Sequence, residues 1–186
     1  MFRRKAYDRL LAWKGADDRT AMLIEGARRV GKSTVAEEFA KNEYESYALI
    51  DFTRVDAEFK QTFLDLRNDL DGLFLYLSAA LGVTLTQHQS LVIFDEVQMF
   101  PPAREFIKHL VADGRFDYIE TGSLISINAN VKDILIPSEE ESMRMGPMDF
   151  EEFLWAMGED ALVRMIRHAF DSGAVSYTHL RAHETR

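Results

Sequence analysis

The sequence predicts an α/β protein with a three-layer core, in which helices cover both faces of a parallel β-sheet. Short apolar runs alternate along the chain with segments of helical spacing, which is the pattern of strand–helix–strand units. The runs are apolar throughout instead of alternating with polar residues, as expected for strands buried on both faces. The 186 residues are 47% apolar and 28% charged, which is typical of a globular protein.

The N-terminal part of the chain predicts a helix, a strand, a loop and a second helix. Apolar residues within 1–13 lie approximately on one helical face, and Gly15 ends that helix. Residues 21–25 form a short apolar run before a glycine, which favours a buried strand. Residues 33–42 then return to helical spacing.

The middle of the chain predicts two strands separated by two helices. Residues 47–52 are the first of these strands, and residues 56–85 indicate two helices broken near 69–72. Four consecutive apolar residues at 91–94 give the strongest strand signal in the chain. This strand leads directly into two acidic residues.

The remainder of the predicted sheet lies in the C-terminal half. The prolines at 101–102 open a helix that ends at Gly114. Residues 118–121 predict a fourth strand, residues 142–148 a fifth strand and residues 149–157 a short helix.

These elements suggest four regions along the chain. Residues 1–18 form an N-terminal helix, and residues 19–148 form the core domain. Residues 149–174 begin a helical or lid region that we expect to be truncated. Residues 175–186 look like the translation of a library adapter, so we expect a natural protein that continues past about residue 174 and a chain that is an N-terminal fragment.

Charge and composition exclude several classes of function. The 31 acidic and 22 basic residues give a net charge of −9, which disfavours binding to nucleic acid or to an anionic membrane surface. The solidly apolar stretch at residues 73–85 is too short to span a membrane. The absence of cysteine excludes disulfides and thiolate sites, and it fits a reducing compartment such as the cytoplasm.

A phosphate-binding loop is predicted between the first strand and the second helix. Residues 26–33 match GxxxxGK[ST] at every fixed position and occupy the strand–loop–helix context that the motif requires. Lys32 is expected to reach the β- and γ-phosphates, and Ser33 to ligate Mg²⁺. Arg28 and Arg29 either add positive potential or are exposed loop residues. The predicted nucleotide-binding residues are Gly26, Ala27, Arg28, Arg29, Val30, Gly31, Lys32, Ser33 and Thr34.

Two carboxylates follow the strand at residues 91–94. Ligands of open α/β sheets bind at the carboxyl ends of the strands, so these side chains are placed beside the predicted loop. Asp95 is expected to hold Mg²⁺ opposite Ser33, while Glu96 orients and polarises the attacking water. The alternative is a solvated acidic pair that closes a strand.

Hydroxyl side chains follow the fourth predicted strand. If that strand neighbours the one ending at Asp95, Thr121 and Ser123 lie beside Glu96. Their position resembles sensor 1 of AAA+ ATPases, where a polar side chain contacts the γ-phosphate or the attacking water. Ser123 is the first choice for this role and Thr121 the second, and a plain turn is the alternative.

The motifs together resemble a specific group of proteins. Glu96, directly after Asp95, is similar to the additional-strand, catalytic-glutamate division of P-loop NTPases, and the extra strand at 47–52 agrees with it. The chain most resembles the bacterial and archaeal AAA-type ATPases whose P-loop domain precedes a C-terminal domain of unknown function. The resemblance rests on Glu25–Thr34, Leu91–Pro101, Tyr118–Ser126 and Pro147–Leu154.

The resemblance implies ATP as substrate, Mg²⁺ as cofactor and Glu96, Lys32 and Ser123 as catalytic residues. It also implies a protein partner or effector that acts through a C-terminal region, and assembly into a homo-oligomer stays open. Many relatives carry a Gly-Arg pair shortly before the segment that starts at Pro147. Here the nearest arginine is Arg144, which is the candidate arginine finger.

The leading hypothesis is a Mg²⁺-dependent ATPase that uses turnover to change conformation or assembly. The alternative is an ATP-sensing switch with negligible turnover. A small-molecule kinase would need a phosphoacceptor pocket that the sequence does not reveal. ATP is expected to be preferred to GTP, because the sequence has no guanine-reading NKxD motif.

Overall fold

The computed structural model describes residues 2–17, 20–123 and 140–173. The predicted adapter-derived tail at 175–186 lies outside these residues. The chain divides into a compact unit, Arg3–Pro147, and a second unit from Met148 onwards. Among the residues described, no helix is both long enough and apolar enough to cross a membrane.

The larger unit contains five helices and five strands within the described ranges. The helices are α1 (Lys5–Lys14), α2 (Lys32–Glu43), α3 (Ala57–Asp65), α4 (Leu70–Leu81) and α5 (Pro101–Asp113). The strands are β1 (Ala21–Gly26), β2 (Ser46–Asp51), β3 (Ser90–Asp95), β4 (Asp117–Ser123) and β5 (Glu140–Arg144).

The second unit contains two helices, α6 (Phe150–Ala156) and α7 (Asp160–Asp171). A capping box starts α6: the Asp149 side chain accepts from the backbone N–H of Glu152 at 2.9 Å, and the Glu152 side chain accepts from the backbone N–H of Asp149 at 3.0 Å. This reciprocal pair satisfies two amide groups that a helix start leaves without intrahelical partners. The short helix predicted at 149–157 is therefore confirmed.

The five strands form one parallel sheet in the order β2-β3-β4-β1-β5. The predicted α/β fold with a parallel sheet is confirmed. The strand inserted between β1 and β3 is β4, whereas β2 lies at the edge beside β3. The assignment of residues 47–52 as the extra strand is therefore wrong, because strand order depends on long-range pairing and not on position in the sequence.

Two apolar clusters pack against opposite faces of the sheet. Successive residues of a strand point to opposite faces, and on β3 Val92 and Phe94 belong to one cluster while Leu91 and Ile93 belong to the other. The first cluster includes α3, α4 and α5, and the second includes α1 and α2. Helices therefore cover both faces, and the three-layer prediction is confirmed.

Two predicted boundaries differ from the structure. The break between α3 and α4 ends at Asp69, whose side chain accepts from the backbone N–H of Gly72 at 3.0 Å, so Gly72 lies inside α4. Strand β5 spans Glu140–Arg144 instead of 142–148. Its extent follows the pairing with β1: Glu140 pairs with Ala21, the first residue of β1, and Arg144 pairs with Glu25, one residue before β1 ends.

A buried acidic cluster joins β4, β5 and α5. Arg104 Nη2 lies 2.9 Å from Glu140 Oε1, and both side chains are buried. Glu120 is also fully buried, and neither of its carboxyl oxygens accepts a hydrogen bond from the described residues. Burial and the nearby Glu140 carboxylate raise the pKa of Glu120 well above its ordinary value, while Arg104 opposes this shift. Glu120 therefore holds its proton more tightly in the folded protein than an exposed glutamate does.

We expect Glu120→Gln to stabilise the protein more at pH 8 than at pH 5. The folded state holds the Glu120 proton more tightly than the unfolded chain, so the free energy of unfolding falls as pH rises above the unfolded pKa. Glutamine keeps the shape without a proton to lose. The melting temperature at pH 8 should rise by about 2–4 °C, the effect of ~1 kcal/mol in a chain of this size. An equal change in melting temperature at pH 5 and pH 8 would contradict the raised pKa of Glu120.

Candidate functional site

The loop between β1 and α2 has a backbone that depends on its glycines. Gly31 has φ 96°, in the left-handed region that favours glycine, and α2 starts at the next residue. A Cβ atom on Gly26 would lie 2.1 Å from the carbonyl oxygen of Met145. Only glycine therefore fits where the chain after β5 crosses the start of the loop.

Lys32 lies inside the loop with only 4% of the residue exposed. Its Nζ donates to the carbonyl oxygens of Gly26 at 3.2 Å and Ala27 at 2.9 Å. Burial lowers the pKa of Lys32, and the carboxylates of Glu96 and Asp95 partly oppose this effect. The first turn of α2 thus places an ammonium group in the concave side of the loop, close to two carboxylates.

The hydroxyl of Ser33 and the carboxylate of Asp95 meet beside this lysine. Ser33 Oγ donates to Asp95 Oδ1 at 2.6 Å, although the residues are 62 positions apart. The Thr121 hydroxyl also donates to Asp95 Oδ1, and its oxygen accepts from the backbone N–H of Glu96 at 3.2 Å. The predicted juxtaposition of Ser33 and Asp95 is present, and β4, which pairs with β3, brings Thr121 to the same carboxylate oxygen.

Glu96 follows β3 in a left-handed conformation, with φ 53° and ψ 48°. This conformation is uncommon for a residue other than glycine, and it turns the chain into a 3₁₀ turn at Val97–Met99. Gln98 donates from Nε2 to Glu96 Oε2. Its Oε1 accepts from the backbone N–H of Ser123 at 3.4 Å.

Gln98 is a residue of the site that the sequence interpretation missed. Its side chain joins Glu96 to the end of β4 and is 7% exposed. The available signal was its position two residues after Glu96, in a turn that follows a buried strand. Ser123 reaches this network through its backbone, whereas Thr121, the second choice, makes the side-chain contacts with Asp95 and Glu96.

The other predicted loop residues differ in exposure. Ala27, Arg28, Arg29 and Thr34 are exposed, whereas Val30 is buried. The positive charge of Arg28 contributes to the lowering of the Lys32 pKa. The two arginines are therefore in the positions expected of exposed loop residues.

Arg144, the candidate arginine finger, is at the end of β5. Its Nε lies 3.2 Å from Glu25 Oε1, and its side chain is 75% exposed. Glu25 directly precedes Gly26, so Arg144 is on the loop side of the sheet. A role as an arginine finger stays a prediction.

Comparison with known proteins identifies the domain. Residues 18–154 match the family described as the AAA domain. No curated protein matches the chain. The match contains the loop after β1, the carboxylates after β3 and the hydroxyl residues at the end of β4. With three quarters of its length covered by that match, the chain belongs to the AAA domain family.

Proposed function

We propose that this chain binds Mg²⁺-ATP in the loop at 26–34 and hydrolyses it to ADP and phosphate, using turnover to change conformation or assembly with a protein partner. The observation that carries the proposal is the 2.6 Å contact between Ser33 Oγ and Asp95 Oδ1. It brings a hydroxyl from the start of α2 and a carboxylate from the end of β3 to one point beside Lys32. AAA domain membership supports nucleotide binding.

The donor set fits Mg²⁺ in its chemistry. Hydroxyl and carboxylate oxygens are hard ligands of the kind this cation prefers, and the Ser33–Asp95 pair supplies one of each. Bound Mg²⁺ would neutralise charge on the phosphate oxygens. Thr121 fixes the orientation of Asp95, because its hydroxyl donates to the same carboxylate oxygen that Ser33 contacts.

The chain's own residues supply binding and proton transfer. Lys32 exchanges its bonds to the Gly26 and Ala27 carbonyls for phosphate oxygens, while the amide groups at the start of α2 face the same anion. Glu96 accepts a proton from water as the water oxygen attacks the γ-phosphorus. The bond between the γ-phosphorus and the ADP oxygen breaks, ADP and phosphate leave, and Glu96 then releases the proton to solvent.

One contact favours a second function, an ATP-sensing switch with negligible turnover. Gln98 donates to Glu96 and is itself tied to the backbone of Ser123. A carboxylate held in this way is less available as a base. In this function ATP binding alone would change the conformation, and the signal would pass to the same protein partner.

Measuring nucleotide binding and phosphate release on one sample separates the two functions. The expected result for the ATPase is Mg²⁺-dependent ATP binding with sustained phosphate release, and weaker binding of GTP. Tight ATP binding without phosphate release would establish the switch instead. Failure to bind any nucleoside triphosphate would overturn both functions.

We expect Asp95→Asn to weaken the Mg²⁺-dependent part of ATP binding by about tenfold or more, since an amide oxygen is a poorer ligand for a hard cation than a carboxylate. Binding measured in excess chelator should change much less. The comparison requires titrations of the parent and the variant with and without Mg²⁺. The control is Asp117→Asn, because Asp117 begins β4 and lies at the other end of that strand from Thr121 and Ser123. An identical Mg²⁺ response in parent and Asp95→Asn would contradict the ligand role.

A further inference from the structure

A buried arginine from the start of the chain lies against the outside of the phosphate-binding loop. Arg4 is 8% exposed and occupies the position directly before α1. Its Nη1 donates to the carbonyl oxygen of Val30 at 2.8 Å, and its Nη2 donates to the carbonyl oxygen of Gly146 at 2.7 Å. One guanidinium group therefore joins the α1 N-terminus, the loop and the segment after β5.

The loop needs donors on its outer side. When the loop turns its amide groups inward around an anion, its carbonyl groups point outward or sideways, and a buried carbonyl without a donor is unfavourable. Lys32 serves the carbonyls of Gly26 and Ala27. Arg4 donates to the carbonyl of Val30, the residue before Gly31.

These two sets of bonds behave differently when phosphate binds. Lys32 must leave its carbonyl partners to reach the phosphates. Arg4 donates to a different carbonyl, that of Val30, so its bond does not have to break for Lys32 to reach phosphate. Its Nη1 also lies 3.6 Å from the point where a Cβ on Gly31 would be, so its positive charge is next to the residue that begins the turn into α2. That charge favours an anion in the loop.

The second bond of Arg4 fixes the segment that crosses the loop. The Met145 N–H donates to the carbonyl of Glu25 at 2.8 Å, and the Met145 carbonyl lies directly over Gly26. Arg4 then holds the next residue, Gly146. The first and last parts of the loop are thus attached to one continuous support.

We propose that Arg4 is a positioning residue that holds the phosphate-binding loop in its binding conformation by bridging Val30 and Gly146. The inference rests on the proposed function, because it requires the loop to bind a nucleoside triphosphate. Arg4 acts through the loop backbone and its charge. The planar fork of the guanidinium group donates in two directions at once, which the single ammonium of lysine does not reproduce.

The test compares Arg4→Met with Arg3→Met in the full 186-residue chain. Arg3 is the matched control, because it is the neighbouring arginine and its exposed side chain has Nη2 3.9 Å from Asp8 Oδ2. Affinity is measured by equilibrium titration with a fluorescent ATP analogue and by competition with inorganic tripolyphosphate, which reports on the loop alone. Arg4→Met is expected to weaken both about tenfold or more, and Arg3→Met about twofold or less.

Two further measurements separate positioning from general loss of stability. Arg4→Lys keeps the positive charge and is the second variant to measure if Arg4→Met does not fold. It is expected to recover part of the affinity for tripolyphosphate. Where turnover is measurable, Arg4→Met should raise the KM for ATP and leave kcat within about twofold. Parent-like affinity for tripolyphosphate in Arg4→Met, or in Arg4→Lys if only that variant folds, would overturn the inference.

Measuring Lys32→Ala in parallel shows whether a negative result contradicts the role of Arg4 alone or the proposed function as well. If Lys32→Ala loses ATP affinity and Arg4→Met does not, the loop binds the nucleotide and the role of Arg4 is wrong. If neither variant differs from the parent, the loop is not the nucleotide site, and both the proposed function and the role of Arg4 are wrong.

Discussion

Lys32→Ala is expected to reduce ATP affinity by about 100-fold or more, equal to about 2.7 kcal/mol. The ammonium is buried in the loop, where it donates to the carbonyls of Gly26 and Ala27. Its loss removes charge-assisted hydrogen bonds to the phosphates, which are roughly twice as strong as neutral ones. Titration with ATP in the presence of Mg²⁺ measures the change.

The fold should survive this substitution, because Lys32 packs against loop carbonyls and belongs to neither apolar cluster. Lys41→Ala is the matched control: Lys41 is on the same helix, half exposed and paired with Glu37 at 2.8 Å. Circular dichroism establishes that both variants are folded. If Lys32→Ala binds ATP as tightly as Lys41→Ala does, the loop is not part of the nucleotide site.

Glu96→Gln is expected to preserve Mg²⁺-ATP binding while reducing phosphate release by roughly 100-fold or more, the scale of lost general-base assistance. Glutamine keeps the size of the side chain but accepts no proton from water. Its amide also retains an oxygen that accepts from Gln98 Nε2, so the contact between residues 96 and 98 is preserved. The substitution therefore isolates the charge and basicity of residue 96.

The measurement is single-turnover phosphate release at saturating ATP, with affinity determined on the same protein. Glu58→Gln, on the exposed side of α3, controls for the loss of one negative charge. If Glu96→Gln releases phosphate at the parent rate, Glu96 is only a carboxylate at a strand end. If the parent itself releases none while binding ATP, the sensing switch replaces the ATPase.

The helices and strands could be predicted because their signals are local. The apolar run before Asp95, the prolines at the start of α5 and the glycine after α1 each act within a few residues. The boundaries that differed depend on contacts farther along the chain. Strand β5 ends at Arg144, opposite Glu25 of its partner β1, and nothing within its own sequence marks that end.

The candidate site could be predicted in part for the same reason. Lys32 and Ser33 belong to one contiguous motif, and Asp95 and Glu96 end one apolar strand. The preference for Ser123 over Thr121 is a matter of which side chain faces Asp95, and the structure gives those contacts to Thr121. Alternation along a strand places both hydroxyls on one face, so the sequence does not distinguish them.

By itself the sequence determined the phosphate-loop motif, the acidic strand end and the alternation of strands and helices, since each is encoded by neighbouring residues. Only the tertiary structure decided that β4 lies between β1 and β3. Gln98 and Arg4 likewise acquire their partners only in the folded chain. Arg4 binds carbonyls 26 and 142 positions away, and because backbone carbonyls are common to all residues, no side-chain pattern marks such partners in advance.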